Sequence, residues 1–139
     1  MTNNIRLVID KLTVRPKILF LIDGIGAFLT AFFLAVILSK FEPIFGMPQT
    51  ILYCLSIIAF IYAIYSLCCS VFISNKWRPF LLVIAVANTM YCFVTIGAVY
   101  ANYPDLTKLG LMYFVLELFV ICCLVFIELK VISNHLDRY

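Results

Sequence analysis

Charged residues are scarce in this chain. Only 12% of its 139 residues are Asp, Glu, Lys or Arg, whereas 65% are hydrophobic and the mean hydropathy is +1.14. A soluble domain carries roughly 25% charged residues, so this chain could not cover a water-exposed surface. The scarcity excludes an ordinary soluble domain and indicates an integral membrane protein, for which lipid is the main solvent.

The sequence also lacks the motifs of metal, redox and nucleotide chemistry. It has one histidine and no Cys-x-x-Cys, and all six cysteines lie in apolar runs, where they act as small packing residues. The segment 23–26 has two glycines where a dinucleotide-binding loop needs three. We therefore expect no metal and no cofactor. The net charge of +3 comes from basic residues that flank apolar runs, so no nucleic-acid partner is expected either.

Four long apolar runs are present instead. They cover residues 18–39, 51–73, 80–101 and 109–130. About 20 residues of helix span the hydrocarbon core, so each run is long enough to cross the bilayer. The runs do not alternate in polarity, which argues against a membrane β-barrel. Because the connections are short, the sequence predicts an all-α fold, a four-helix transmembrane antiparallel bundle over residues 17–131.

The two ends of the chain are more polar. In residues 1–16, apolar side chains recur at helical spacing among charged ones, which predicts a short amphipathic helix in the membrane interface. Residues 132–139 are predicted to form a polar tail. Both segments are expected in the cytoplasm.

The distribution of basic residues predicts this orientation. One side of the membrane would hold eight of them: Arg6, Lys11, Arg15, Lys17, Lys76, Arg78, Lys130 and Arg138. The other side would hold only Lys40 and Lys108. Cytoplasmic loops carry the excess of Lys and Arg, so both termini of this multi-pass protein should be cytoplasmic.

Small and polar residues at steps of three and four mark one face of each predicted helix. Because helices in lipid associate through such residues, these faces should turn inward. The faces contain, from the first helix to the fourth, Asp23, Ala27, Ala31 and Ala35; Ser56, Ala59, Ala63, Ser66 and Ser70; Ala85, Asn88, Cys92 and Thr95; Tyr113, Glu117, Leu124 and Glu128.

Three of these residues, Asp23, Asn88 and Glu117, are costly to place in a membrane. A charge at the bilayer centre costs about 2.5–3.5 kcal/mol on insertion scales, and such residues often mark functional sites. No Lys or Arg lies in residues 18–39, 51–73, 80–101 or 109–127 to pair with them. We therefore predict a polar cavity inside the bundle for a small molecule, a lipid or a cationic ligand. Four tyrosines are candidates to supply hydroxyl groups to it: Tyr62, Tyr65, Tyr91 and Tyr113.

Two other interpretations of the acids remain open. Glu117 could be hydrogen-bonded to Asn88 or to a tyrosine and serve only to hold the helices together. The acids could also contact another membrane protein. Glu128, which is close to Lys130 near the end of the last run, is expected to reach water at a solvated helix end.

Short segments of the chain resemble signatures of small four-helix bacterial integral membrane proteins. These segments are Leu21–Ala27, Phe45–Pro48, Trp77–Pro79 and Ala87–Asn88. The resemblance implies a location in a bacterial inner membrane and implies no activity.

Three functions are compatible with these features. The first is binding of a small molecule, lipid or ion, with transport if several copies form a homo-oligomer. The second is an accessory or scaffold subunit of a larger membrane complex. The third, an intramembrane acid–base enzyme, is less favoured because the sequence contains no evident nucleophile–base pair.

Overall fold

The computed structural model describes residues 2–136, which form helices joined by short connections and contain no β-strand. The helices are α1 Thr2–Val14, α2 Pro16–Phe32, α3 Glu42–Phe45, α4 Gln49–Phe72, α5 Trp77–Ala101 and α6 Lys108–Leu136. A π-helical segment, Phe33–Leu38, continues α2. Residue 1 of the predicted arm and residues 137–139 of the predicted tail lie outside the described residues.

Four of the helical segments are long and apolar enough to cross a membrane. They are Pro16–Leu38, Gln49–Phe72, Trp77–Ala101 and Lys108–Asn134. The prediction of an all-α, multi-pass membrane protein is therefore confirmed. The π-helical part of the first segment was not predicted, because a wider helical turn leaves no distinct mark in a run of apolar residues.

The helices α2 and α4 pack closely through small and polar residues. A Cβ atom added to Gly24 would meet the side chain of Leu67 at 2.8 Å, so the two backbones approach each other there. Further along, the hydroxyl of Ser56 donates a hydrogen bond of 2.9 Å to the carbonyl of Ala31. This contact uses the small residues that bring helices together in lipid.

The other close pair is α5 and α6, and α4 also contacts α5. In contrast, α2 and α6 have few contacts with each other. The four membrane-length helices therefore leave an open seam between the first and the last of them.

At one end of the bundle, the connection between α2 and α4 is tied to the connection between α5 and α6. Gly46 has a left-handed backbone with φ of 76°, and a Cβ atom there would collide with the carbonyl of Asp105. The Thr107 hydroxyl donates a hydrogen bond of 2.6 Å to the carbonyl of Ile44, and its amide donates one of 3.2 Å to that of Phe45. These contacts hold the two helix pairs together at this end.

The N-terminal helix α1 packs against the far end of α6. The side-chain amide of Asn134 donates a hydrogen bond of 2.9 Å to Asp10, and Ile9 and Leu12 join a hydrophobic cluster that contains Val131. Other apolar residues of α1, among them Leu7, stay exposed. A helix is therefore present where one was expected, while its location in the membrane interface stays a prediction.

The inward faces expected from the sequence are confirmed. The residues of these faces that are fully buried are Asp23, Ala31, Ser56, Ala59, Ala63, Ser66, Ala85, Asn88, Cys92, Thr95, Glu117 and Glu128. Ala27, Ala35, Ser70, Tyr113 and Leu124 are partly buried. The six cysteines are free thiols, of which Cys69 and Cys92 are buried.

Candidate functional site

A cavity of about 450 Å³ lies in the seam between α2 and α6. The wall from α2 includes Gly26, Ala27 and Thr30, and α4 and α5 close the cavity at the back. Its lining is predominantly apolar. The ionisable and amide side chains that reach it are Asp23, Tyr62, Asn88, Tyr91, Tyr113 and Glu117. Size and lining both match those of a small-molecule site, which is mostly apolar with a few polar groups.

At one part of the cavity, only one of the two carboxyl oxygens of Glu117 accepts a hydrogen bond. The hydroxyl of Tyr91 donates a hydrogen bond of 2.9 Å to Glu117 Oε1. The other oxygen, Oε2, is buried and has no hydrogen-bond partner in the described part of the chain. Glu117 is only 8% exposed, so bulk water does not supply the missing partner. A buried oxygen of this kind is a candidate acceptor for a ligand.

Asp23 has a different environment, in which both carboxyl oxygens accept hydrogen bonds. The side-chain amide of Asn88 donates to Oδ1 at 2.7 Å, and the hydroxyl of Ser66 donates to Oδ2. These bonds join α2 to α4 and to α5. Asp23 therefore borders the cavity and at the same time holds three helices together.

Three tyrosine rings line the cavity together with Glu117. The rings of Tyr62 and Tyr91 meet edge to face, with their centroids 6.4 Å apart. Tyr113, one helical turn before Glu117, makes the same kind of contact with Phe114, at 5.3 Å. Such rings provide an apolar surface and a negative ring face, which suits a cationic group.

The cavity is open on the side that the seam exposes. Leu29 and Phe33 of the first membrane-length segment line it and are 49% and 41% exposed. On α6, Leu116 and Val120 also line the cavity, with exposures of 63% and 57%. In a membrane these side chains would face hydrocarbon, and the opening would then lead from the cavity toward the bilayer interior.

Six of the seven residues that the sequence singled out for a site line this cavity. They are Asp23, Asn88, Glu117, Tyr62, Tyr91 and Tyr113. Tyr65 does not line it and instead packs against a hydrophobic cluster that includes Cys69 and Leu81. Periodicity could not separate Tyr65 from Tyr62, because residues three apart on a helix point in similar directions.

The expectation that Glu128 reaches water at a helix end is wrong. Its side chain is fully buried, because α6 continues past it to Leu136 and α1 covers that end. Neither of its carboxyl oxygens has a hydrogen-bond partner among residues 2–136. The residue lies beside Asp23 and Asn88 and interacts with both side chains. The sequence does contain a signal for this burial. Glu128 follows Glu117 by eleven residues, which is three helical turns and places both residues on the same face of α6.

The site can therefore accept a hydrogen-bond donor or a positive charge at Glu117 and can enclose an apolar body. Among the side chains that the structure describes, at residues 3–134, no three His, Cys, Asp or Glu cluster in a way that could hold a metal ion. Comparisons of the chain with protein-family models, with curated proteins and with solved structures find no match.

Proposed function

We propose that this protein binds a lipophilic organic cation in the cavity between α2 and α6, and that the ligand enters from the bilayer. The observation that carries the proposal is Glu117, a buried residue that lines the cavity and whose Oε2 has no hydrogen-bond partner among the described residues. A buried acceptor without a donor is unfavourable, and a bound cation would compensate for it.

The lining favours an organic cation over a hydrated inorganic ion. Two carboxyls line the cavity, but both oxygens of Asp23 already accept hydrogen bonds, so Glu117 is the acid with an oxygen left over. The rings of Tyr62, Tyr91 and Tyr113 also line the cavity, and most of the remaining lining is aliphatic. An inorganic ion needs several oxygen ligands to replace its water. An organic cation needs one counter-charge and can place its apolar groups on aliphatic and aromatic surface.

The open seam supports entry from the lipid. Its edges are side chains such as Phe33 and Leu116 that are exposed and apolar. A molecule that partitions into the bilayer can reach Glu117 through this opening without crossing a layer of polar side chains.

We also infer the topology that the proposal assumes: an antiparallel, up-down-up-down bundle in a bacterial inner membrane, with α1 at the cytoplasmic interface and both termini in the cytoplasm. The hydrogen bonds between α2 and α4 support opposite directions. Asp23 pairs with Ser66 whereas Ala31 pairs with Ser56, so the residue numbers run in opposite order. The excess of Lys and Arg supports the orientation.

A second candidate function is that of an accessory subunit. The same open seam supports it, because a helix of a partner subunit or of a second copy could cover the cavity. Transport of the bound cation across the membrane would require such an assembly, since four helices leave little room for a continuous pathway.

Binding of tetraphenylphosphonium tests the proposed function. We expect saturable binding to the purified protein in lipid nanodiscs, measured by equilibrium dialysis. Glu117→Gln removes the counter-charge while keeping the shape, and should weaken binding at least about tenfold, or about 1.4 kcal/mol.

The matched control is Glu42→Gln, because Glu42 lies in the short helix α3 and does not line the cavity. It should leave the affinity unchanged. Equal affinities of the wild type and Glu117→Gln would contradict the proposal. Unchanged binding of a neutral triaryl compound in place of the cation would show that the cavity selects apolar shape and not charge.

A further inference from the structure

Beside the cavity, four buried polar side chains converge from the four membrane-length helices. Asp23 comes from α2, Ser66 from α4, Asn88 from α5 and Glu128 from α6. None of them is more than 6% exposed. Two of the four, Asp23 and Glu128, are acids, and their charges would repel each other if both were ionised.

The hydrogen bonds of this cluster are distributed unequally. Ser66 and Asn88 each donate to a different oxygen of Asp23. Glu128 receives neither of these bonds, and both of its oxygens are buried without a partner in the described part of the chain. The donors thus stabilise a negative charge on Asp23 more than one on Glu128.

No basic side chain near the cluster compensates for a second charge. The buried polar residues among those described include no Lys, Arg or His. Lys130 is exposed, and its Nζ lies 5.7 Å from the ring centroid of Phe126. Arg78 is ten residues before Asn88 on α5, which is about 15 Å along the helix axis.

Both neutral and ionisable groups face Glu128 from the neighbouring helices. Asp23 of α2 is the ionisable group beside it, while α4 and α5 contribute the neutral Ser66 and Asn88. From α1, Asp10 is bonded to Asn134, six residues after Glu128 on α6. Two adjacent carboxyls away from water cannot both be ionised at low cost, and sharing one proton removes the conflict.

We propose that Asp23 and Glu128 form a proton-binding site. In this site Glu128 carries the proton and donates a hydrogen bond to the Asp23 carboxylate. The protonated oxygen of Glu128 then has a hydrogen-bond partner, and Asp23 accepts a third hydrogen bond. The pair retains a single negative charge, delocalised over a carboxylate that accepts three donors. The site involves neither Glu117 nor the cation proposed above. The proposal of this proton-binding site can therefore be tested whether or not the cavity binds that cation.

Infrared spectroscopy of the full-length protein in lipid nanodiscs tests the site directly. A protonated carboxyl has a C=O stretching band that is separate from the carboxylate bands and shifts in deuterated water. We expect the wild type at pH 7 to show such a band from Glu128. Glu128→Gln should remove it, and Asp23→Asn should shift it, because the hydrogen-bond acceptor is no longer a carboxylate.

Glu117→Gln is the control acid and should leave the Glu128 band in place. The proposal is overturned if Glu128→Gln removes no protonated-carboxyl band, or if Asp23→Asn leaves that band at its wild-type frequency. It is also overturned if Na⁺ abolishes the band when it replaces choline at constant pH, because the site would then hold a metal ion. The Asp23→Asn spectrum supplies an independent answer if the Glu128 variant does not fold.

Discussion

The two sides of α2 differ in how they use small and polar residues. The side that faces α4 is closely packed: Gly24 lets Leu67 approach, and Asp23 accepts a hydrogen bond from Ser66. The side that faces α6 is open, and Gly26, only two residues after Gly24, would meet nothing within 4 Å if it carried a Cβ atom. One helix therefore combines a structural interface with the wall of a cavity.

Asp23 and Glu117 also differ from each other, in the number of hydrogen bonds that they accept. Asp23 is bonded on both oxygens and links three helices, whereas Glu117 accepts one bond from Tyr91 and keeps one oxygen without a partner. Of the two acids that line the cavity, the number of donors thus separates the one that stabilises the fold from the one that is available to a ligand. The variants below test this difference.

The largest effect is expected for removal of the bonded acid. Asp23→Ala leaves Ser66 and Asn88 buried without their acceptor, and should lower the free energy of unfolding by about 2 kcal/mol. Glu117→Ala removes one bond from Tyr91, and the freed hydroxyl faces a cavity, so a loss of about 0.5 kcal/mol is expected. Unfolding by SDS in mixed micelles, followed by circular dichroism, measures both. A larger loss for Glu117→Ala than for Asp23→Ala would reverse the assignment of the two acids.

A smaller effect is expected from filling the open side. Gly26→Leu places a side chain in the cavity and should weaken tetraphenylphosphonium binding at least about tenfold, or about 1.4 kcal/mol, without unfolding the protein. Gly97→Leu is the matched control, since Gly97 on α5 also has no neighbour within 4 Å and does not line the cavity. If both variants bind like the wild type, the cation does not occupy this cavity.

Much of the fold could be predicted from the sequence, because hydropathy and helical periodicity act along the chain. The four apolar runs became membrane-length helices, and stripes such as Ser56, Ala59 and Ala63 became buried faces. These patterns identify the inward side of a helix. They do not identify the neighbour that this side contacts, so the open seam between α2 and α6 could not be predicted.

The candidate site shows the same limit. The polarity of Asp23 and Glu117 within apolar runs was sufficient to nominate both residues. Their different numbers of donors depend on side chains from other helices, which no spacing along one helix reveals. Glu128 was misassigned because its nearness to Lys130 in sequence indicated a solvated end, whereas the packing of α1 and the length of α6 bury it.

The smallest effect concerns the close approach at Gly24. A Cβ atom there would lie 2.8 Å from Leu67 Cγ and 3.1 Å from its backbone nitrogen, so the helices must separate slightly. Overpacking costs about 1–3 kcal/mol and the gain in helix propensity returns up to about 1, so Gly24→Ala should destabilise by about 1 kcal/mol. Gly26→Ala, with the same gain and no clash, should be neutral or slightly stabilising. Leu67→Ala removes the clashing atoms, so Gly24→Ala should cost less in that background. Additive losses in this double-mutant cycle would mean that Gly24 does not set the distance between α2 and α4.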